Sequence, residues 1–180
     1  MRASEALLAD AAIGVTAGLV ATSLTGPVQK LLYRFTPDAV KRREEQARPG
    51  PPTQIAAKKL ARAVNAEPDE QQTEQAATVI HYASGIPWGA VCPFLRRHSG
   101  MTPLGAALAT GATMALVLDE ALTPAMGFSA PNRDYPALTH VRGFLAHLAF
   151  GAAAAATAEA LYRLTDTTPA RAGTERYARC

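Results

Sequence analysis

The sequence predicts an all-α fold: a four-helix transmembrane bundle with small-residue contacts between its helices and a short amphipathic helix in the first loop. Two observations predict it. Four blocks of the chain contain no Asp, Glu, Lys or Arg, namely residues 11–28, 76–95, 102–118 and 143–158. With their flanking helix signals, these blocks approach the ~20 residues that an α-helix needs to cross a ~30 Å hydrocarbon layer. They also lack the regular polar stripe of a half-exposed soluble helix, which indicates burial in lipid or protein.

The composition of the whole chain conceals this division. Of the 180 residues, 48% are hydrophobic and 18% are charged, and the mean hydropathy is close to zero. Because the uncharged blocks are rich in Ala, Gly and Thr rather than Leu and Ile, each block alone gains only a modest free energy on insertion. An alanine-rich soluble bundle is therefore the alternative architecture. We expect one domain over residues 1–180, since no long linker divides the chain.

The predicted helices are residues 5–26, 73–95, 102–124 and 136–164, with a polar loop at 29–71 and a polar tail at 165–180. We expect the first helix to be retained and not removed as a secretory signal. Pro27 is expected to end or kink the first helix, and Pro87 to bend the second. Thr102 and Pro103 supply a cap and a first-turn proline for the third. Within the loop, Thr53 is expected to cap a short amphipathic helix on the membrane surface.

The basic residues favour a lipid bilayer over nucleic acid as the partner. The net charge is +3 and the pI is about 9.1, yet Lys and Arg flank the apolar blocks and form no patch interleaved with aromatic side chains. Residues 29–71 and Arg133 together hold ten Lys and Arg, against seven at the amino terminus, in the 96–98 turn and in the tail. Basic residues favour the cytoplasmic side, so we expect the first loop to face the cytoplasm and both termini to lie opposite.

Glycines spaced along the predicted helices indicate where helices touch. These glycines are Gly14 and Gly18 in the first helix, Gly85 and Gly89 in the second, and Gly143 and Gly151 in the fourth. A stripe of small residues lets a neighbouring backbone approach closely. Such faces predict packing within the bundle, and they also suit a homo-oligomer or a larger membrane complex.

Five ionisable side chains fall within or beside the apolar blocks: His81, Asp119, Glu120, His140 and His147. An ionisable group at membrane depth costs ~2.5–3.5 kcal/mol, so it requires a partner or water. If the glycine faces pack together, His81, Asp119 and His147 could converge and handle protons or a divalent cation. The alternative is structural. His147 would then fix the helix register through a carbonyl or Asp119, while Asp119 and Glu120 lie solvated at the interface.

The same residues carry a resemblance to a known family. From His81 to Ala158 the chain shows a His in the second helix, a Gly-rich third helix, the acidic pair before Pro124 and Gly127, and then His140-x2-Gly143-x3-His147-x3-Gly151. In this order and spacing the segment, a little under half of the chain, resembles the YagU-like proteins of the bacterial inner membrane. The resemblance implies a multi-pass inner-membrane protein, and it implies no reaction.

The sequence predicts no catalytic residue and no cofactor. It contains no Walker-type phosphate loop, no nucleophile elbow and no zinc-binding His or Cys spacing, and Cys92 and Cys180 are isolated from each other. The choice of metal ligands stays open. Arg142 is expected to pair with Asp134 on the surface. The sequence therefore favours a structural or interaction component of a membrane, and the alternative is proton or divalent-cation handling through the intramembrane His and Asp residues.

Overall fold

The computed structural model describes residues 3–165, and these residues form helices and turns with no strand among them. The elements are α1 (Ala3–Arg34), α2 (Asp38–Ala47), α3 (Pro52–Ala63), α4 (Glu70–Gly85), a 3-10 turn (Ile86–Ala90), α5 (Val91–Ser99), α6 (Pro103–Met114), a π-helix (Ala115–Leu122), α7 (Thr123–Ala125), a second 3-10 turn (Asn132–Asp134) and α8 (Ala137–Thr165). The all-α class is thus confirmed. The predicted tail and Cys180 lie, apart from Thr165, outside the described residues.

Among residues 3–165, three helical stretches are long and apolar enough to cross a membrane. They are Leu7–Arg34, Pro103–Ala125 and Ala137–Thr165, of 28, 23 and 29 residues. Large apolar side chains project from all three into the surroundings, as Leu8, Leu104 and Leu145 do. A soluble globule would bury most of such side chains, so the three stretches indicate a membrane protein.

The second predicted helix, residues 73–95, is not one continuous helix, so a bundle of four unbroken spanning helices is not confirmed. It begins earlier, at Glu70, because Asp69 Oδ1 accepts a hydrogen bond from Gln72 N at 2.7 Å and the Gln72 side chain accepts one from Asp69 N at 3.1 Å. It then breaks into the 3-10 turn around Pro87, which has no N–H to donate to the preceding turn. Pro87 therefore does more than bend the helix.

Of the two effects predicted for Pro27, ending the first helix near residue 26 was wrong, since α1 continues to Arg34, whereas a kink stays a prediction. Two hydroxyls in the turns before the proline bond to helix carbonyls: Ser23 Oγ to Leu19 O and Thr25 Oγ1 to Ala21 O, both at 2.9 Å. A proline within a spanning helix is tolerated where Ser or Thr side chains and a packed neighbour support the freed backbone. Here α8 packs along α1, while the two hydroxyls bond carbonyls other than that of Ser23, the one that Pro27 leaves without its N–H donor.

The first loop, predicted as a polar stretch with one short helix, contains the end of α1 and the two helices α2 and α3. Thr53 does not cap α3. Pro51 precedes the helix and Pro52 opens it, so two prolines with preset φ angles take the place of a side-chain cap. Ala56 and Ala57 are buried because α3 packs against α4. The helix α3 therefore lies at the surface of the protein and is covered on one side by α4.

Small residues let the helices approach closely at two places. At the first, α1 meets the 3-10 turn: a Cβ atom added at Gly14 would lie 2.7 Å from Ala90 Cα, and one at Gly18 would lie 2.9 Å from Ile86 Cα. At the second, α6 crosses α8, where a Cβ at Gly151 would lie 2.9 Å from Gly111 N. No side chain fits in either place without a backbone shift.

The other predicted contact glycines meet different kinds of group. Gly85 faces the Thr22 side chain and Gly89 faces the Gly18 backbone, whereas a Cβ at Gly143 would meet Asp119 Oδ2 at an ordinary 3.4 Å. Gly143 therefore borders open space. Between α1 and α8 the core contains an alanine seam, Ala17, Ala21, Ala154 and Ala158, and the buried rings of Phe150 and Tyr162 belong to the same cluster.

Candidate functional site

An open cavity of about 870 Å³ lies at the end of the bundle where α1 ends and α8 begins. We call this the cavity end. The walls come from the last two turns of α1, from α2, from the π-helix, from the loop after α7 and from the first turns of α8. Most of the lining side chains are polar or charged, although three of the helices that supply them are apolar over most of their length. Water or a polar ligand is the expected occupant of such a space.

A buried carboxylate, Glu44 on α2, forms one wall of this cavity. Its side chain is 2% exposed, and both of its oxygens accept hydrogen bonds of 2.7 Å from Arg142 Nη2. Thr139 Oγ1 donates to it at 3.1 Å, and Arg48 Nη2 lies 3.1 Å away. A buried charge needs this degree of pairing to be tolerated.

Arg142 is fixed by further contacts. Its guanidinium lies over the Tyr33 ring at 5.0 Å from the centroid, and its Nη1 donates to Thr36 Oγ1 at 3.4 Å. Arg142 thereby ties α8 to α2 and to the end of α1. The predicted surface pair between Arg142 and Asp134 was wrong, since Asp134 lies 3.7 Å from Arg133 instead.

The adjacent carboxylates Asp119 and Glu120 both reach the cavity because they lie on the π-helix. The ring of Pro124 would collide with the carbonyl of Glu120 in a regular α-helix, and Pro124 has no N–H to bond it. The wider π turn bonds Thr123 N to Leu118 O, five residues back, and leaves the Glu120 carbonyl to accept from Asn132 Nδ2 at 2.8 Å. Short π segments occur frequently at functional sites.

Glu120 pairs with the first predicted histidine of α8. His140 Nδ1 lies 2.7 Å from Glu120 Oε1, and His140 Nε2 lies 3.0 Å from the Asn132 carbonyl. A carbonyl can only accept, so Nε2 carries a proton. The contact with Glu120 then holds one more shared proton, either on the imidazole or on the carboxyl group.

Asp119 lies beside the second histidine of α8, deeper in the bundle. The side chain of His147 is buried, its Nδ1 donates to the Gly143 carbonyl at 2.9 Å, and the same atom lies 3.3 Å from Asp119 Oδ2. The Asp119 side chain is 42% exposed and faces the cavity. The Asp119–His147 pair therefore links the cavity to a buried side chain of the bundle, whereas the Glu120–His140 pair lies at the cavity wall.

His81 does not join these pairs. Its ring contacts Tyr82 on α4 at 5.6 Å between centroids, and within residues 3–165 no hydrogen bond or ion pair links it to Asp119 or His147. The hydroxyl of Ser84 donates to the backbone carbonyl of His81 and not to its imidazole ring. Over the described part of the chain, no group of three or more His, Cys, Asp or Glu is arranged to hold a metal ion.

A second charged cluster closes the opposite end of the bundle. Arg97 on α5 forms a two-pronged pair with Asp10 on α1, with Nη2 2.9 Å from Oδ1, and the hydroxyl of the buried Tyr162 on α8 donates to the same Oδ1 at 2.8 Å. Arg96 pairs with Glu159 beside it. These contacts join α1, α5 and α8 at one level.

Sequence reasoning missed Glu44 and the cluster around Asp10. A signal for the first was present: Arg142 stands in an apolar helix, and a cation there requires a carboxylate partner. The partner lies 98 residues away in sequence, so spacing could not identify it.

Comparisons of the chain with protein-family models, with curated proteins and with solved structures found no match.

Proposed function

We propose that this chain is a four-crossing protein of the bacterial inner membrane that acts as an interaction component, and that it binds a small polar ligand in the cavity between α1, the π-helix and α8. No enzymatic step is part of the proposal. The bacterial inner membrane is proposed from the resemblance of residues 81–158 to the YagU-like proteins.

The fourth crossing is supported by the direction of the chain. If α1 crosses and ends at the cavity end, and α6–α7 also reaches the cavity end at Ala125, then residues 35–102 must return to the opposite end. The segment from α4 to α5 provides this return. Its contacts with α1 run in antiparallel order: Tyr82 with Ser23, Gly89 with Gly18, and Arg97 with Asp10. Backbone broken within a membrane is tolerated where protein covers it, as α1 covers the 3-10 turn.

The positions of the basic loops support the proposed orientation. The first loop, including α2 and α3, and the loop around Arg133 lie together at the cavity end, where Lys59 Nζ also donates to Met126 O at 2.8 Å. The excess of Lys and Arg in these segments favours the cytoplasmic side for the cavity. A ligand would then enter from the cytoplasm or from the inner leaflet.

The observation that carries the proposal is the polar cavity itself. A purely structural bundle has no need for about 870 Å³ of space lined by charged side chains at the end of its apolar helices. A site of this size is in the range of small-molecule pockets, and its polar groups are held in place by Glu44 and by the π-helix.

The proposal is tested by filling the cavity. Leu at position 143 would extend into it, since a Cβ there meets only Asp119 Oδ2, whereas Gly26→Leu on α1 adds the same bulk where nothing lies within 4 Å. Native mass spectrometry of the full chain should show a bound small molecule or lipid that is lost in Gly143→Leu and kept in Gly26→Leu. If both variants keep the same bound species, or if the wild type carries none, the cavity is not a binding site.

Proton handling is a second candidate, favoured by the contacts of Asp119 with His147 and of Glu120 with His140. Imidazole and carboxylate in contact can exchange a proton between a water-accessible cavity and a buried site. The measurement is proton flux in proteoliposomes with the wild type, His147→Ala and Asp119→Asn. Flux that is the same in all three would exclude this candidate and leave the binding role.

A further inference from the structure

The charges around the cavity do not balance. Three carboxylates line it, and each has a basic partner: Glu44 has Arg142 and Arg48, Glu120 has His140, and Asp119 has His147. Two further lining cations, Lys30 and Arg34 on α1, have no ion-pair or hydrogen-bond partner among residues 3–165.

Lys30 and Arg34 are placed to act together. They lie four residues apart on the last turns of α1, which puts both on the same face of the helix, and both belong to the cavity wall. Arg48, whose side chain is 45% exposed and which makes a single contact with Glu44, lines the same space. The carboxylates belong to other elements, α2 and the π-helix. One wall of the cavity thus presents positive charge that the protein does not neutralise.

The place of these cations limits what they would bind. They stand at one end of a helix that is long and apolar enough to cross a membrane, which is the level of the lipid phosphates if that helix spans, and the cavity beside them is open. Basic pockets between helices at this level suit phosphate-bearing headgroups, and Lys and Arg donors form short charge-assisted hydrogen bonds with phosphate oxygens. The polar wall of Ser129, Asn132 and Tyr135 can meet the hydroxyls of a headgroup.

We infer that the cavity binds a phosphate-bearing anion through Lys30 and Arg34, with the headgroup of an anionic phospholipid as the source that its position favours. The inference rests on the proposed function, since it names the ligand of the same cavity. A soluble phosphate compound shares this chemistry, and the experiment distinguishes the two sources.

The test uses the full chain in nanodiscs of phosphatidylcholine with added phosphatidylglycerol, and native mass spectrometry counts the retained anionic lipid. Lys30→Gln/Arg34→Gln is compared with Lys58→Gln/Arg62→Gln, which removes two exposed cations at the same spacing on α3, outside the cavity. The first double variant should bind phosphatidylglycerol about 10- to 30-fold more weakly. The second should bind it as the wild type does.

Inorganic phosphate, titrated by calorimetry, forms the second arm. Phosphate binding that also depends on Lys30 and Arg34 supports a soluble phosphate compound as the source, and dependence in the lipid arm alone supports the headgroup. If neither arm responds to Lys30→Gln/Arg34→Gln more than to the α3 variant, the inference is overturned. Binding that Gly143→Leu removes but Lys30→Gln/Arg34→Gln leaves intact overturns the inference while the proposed function stands. Binding that Gly143→Leu leaves unchanged overturns both the inference and the proposed function.

Discussion

Replacing Arg142 with methionine would test whether the buried carboxylate of Glu44 depends on a single cation. Methionine keeps most of the length of the side chain, so the loss of packing is small. The variant removes two hydrogen bonds of 2.7 Å to Glu44 and the stacking on Tyr33, and it leaves Glu44 with Arg48 and Thr139. The Arg48 side chain is 45% exposed and contacts Glu44 through one nitrogen, Nη2, at 3.1 Å.

The expected loss follows from the burial of the pair. Glu44 and Arg142 have side chains only 2% and 12% exposed, so little of either is accessible to the water of the cavity. Removing one member of such a pair costs about 3–5 kcal/mol of the free energy of unfolding. The exposed pair of Arg133 and Asp134 supplies the control, because Arg133→Met should change the same quantity by less than about 1 kcal/mol.

The assay is unfolding of the full chain from detergent micelles by SDS, followed by far-UV circular dichroism. A double variant, Glu44→Leu with Arg142→Met, should recover most of the loss, since an apolar pair of similar volume replaces a buried ion pair at little cost. If Arg142→Met lost no more stability than Arg133→Met, Glu44 would be solvated in the folded protein and would not depend on Arg142.

Three further outcomes are expected. Gly151→Ala should lower the free energy of unfolding by about 1–3 kcal/mol in the same assay, because its Cβ would meet the α6 backbone. The control Gly26→Ala should be neutral or stabilising by up to about 1 kcal/mol. Equal effects of the two substitutions would contradict the close crossing of α6 and α8. Tyr162→Phe should lower the free energy of unfolding by about 1.5–3 kcal/mol, because it loses the hydrogen bond to Asp10. No measurable change would mean that water satisfies Asp10 equally well in the variant. Single cysteines at Asn65 and Ser99, in a chain without native cysteines, should be labelled by an impermeant maleimide from opposite sides of the membrane; labelling from one side would exclude the fourth crossing.

Much of the fold could be predicted because the signals were local. Charge-free blocks located the helices of the first, third and fourth segments, and Thr102 caps α6 as expected, accepting from Gly105 N at 3.1 Å. The errors came where tertiary contacts change the local preference. Pro27 lies inside a helix that packs along α8, and a π-helix forms where Pro124 and Asn132 act on the same carbonyl.

The site was predicted only in part for the same reason. The histidines of α8 and the acidic pair were recognisable from their cost in a membrane, and the structure joins them in two pairs that the spacing of His140 and His147 alone could not specify. Glu44 lies in a stretch that reads as an ordinary charged loop. Its burial is created by α8, so nothing in its local sequence could have indicated it.

The alanine seam between α1 and α8 restricts how this protein can diverge. Where Ala17, Ala21, Ala154 and Ala158 pack, a larger residue on one helix cannot be offset by a smaller one on the other, because alanine and glycine leave almost nothing to remove. The exposed leucines and valines, by contrast, have no fixed protein neighbour around most of the side chain, so they can be exchanged for other apolar residues. Substitutions in homologous chains should therefore accumulate on the outer faces and leave the seam nearly unchanged.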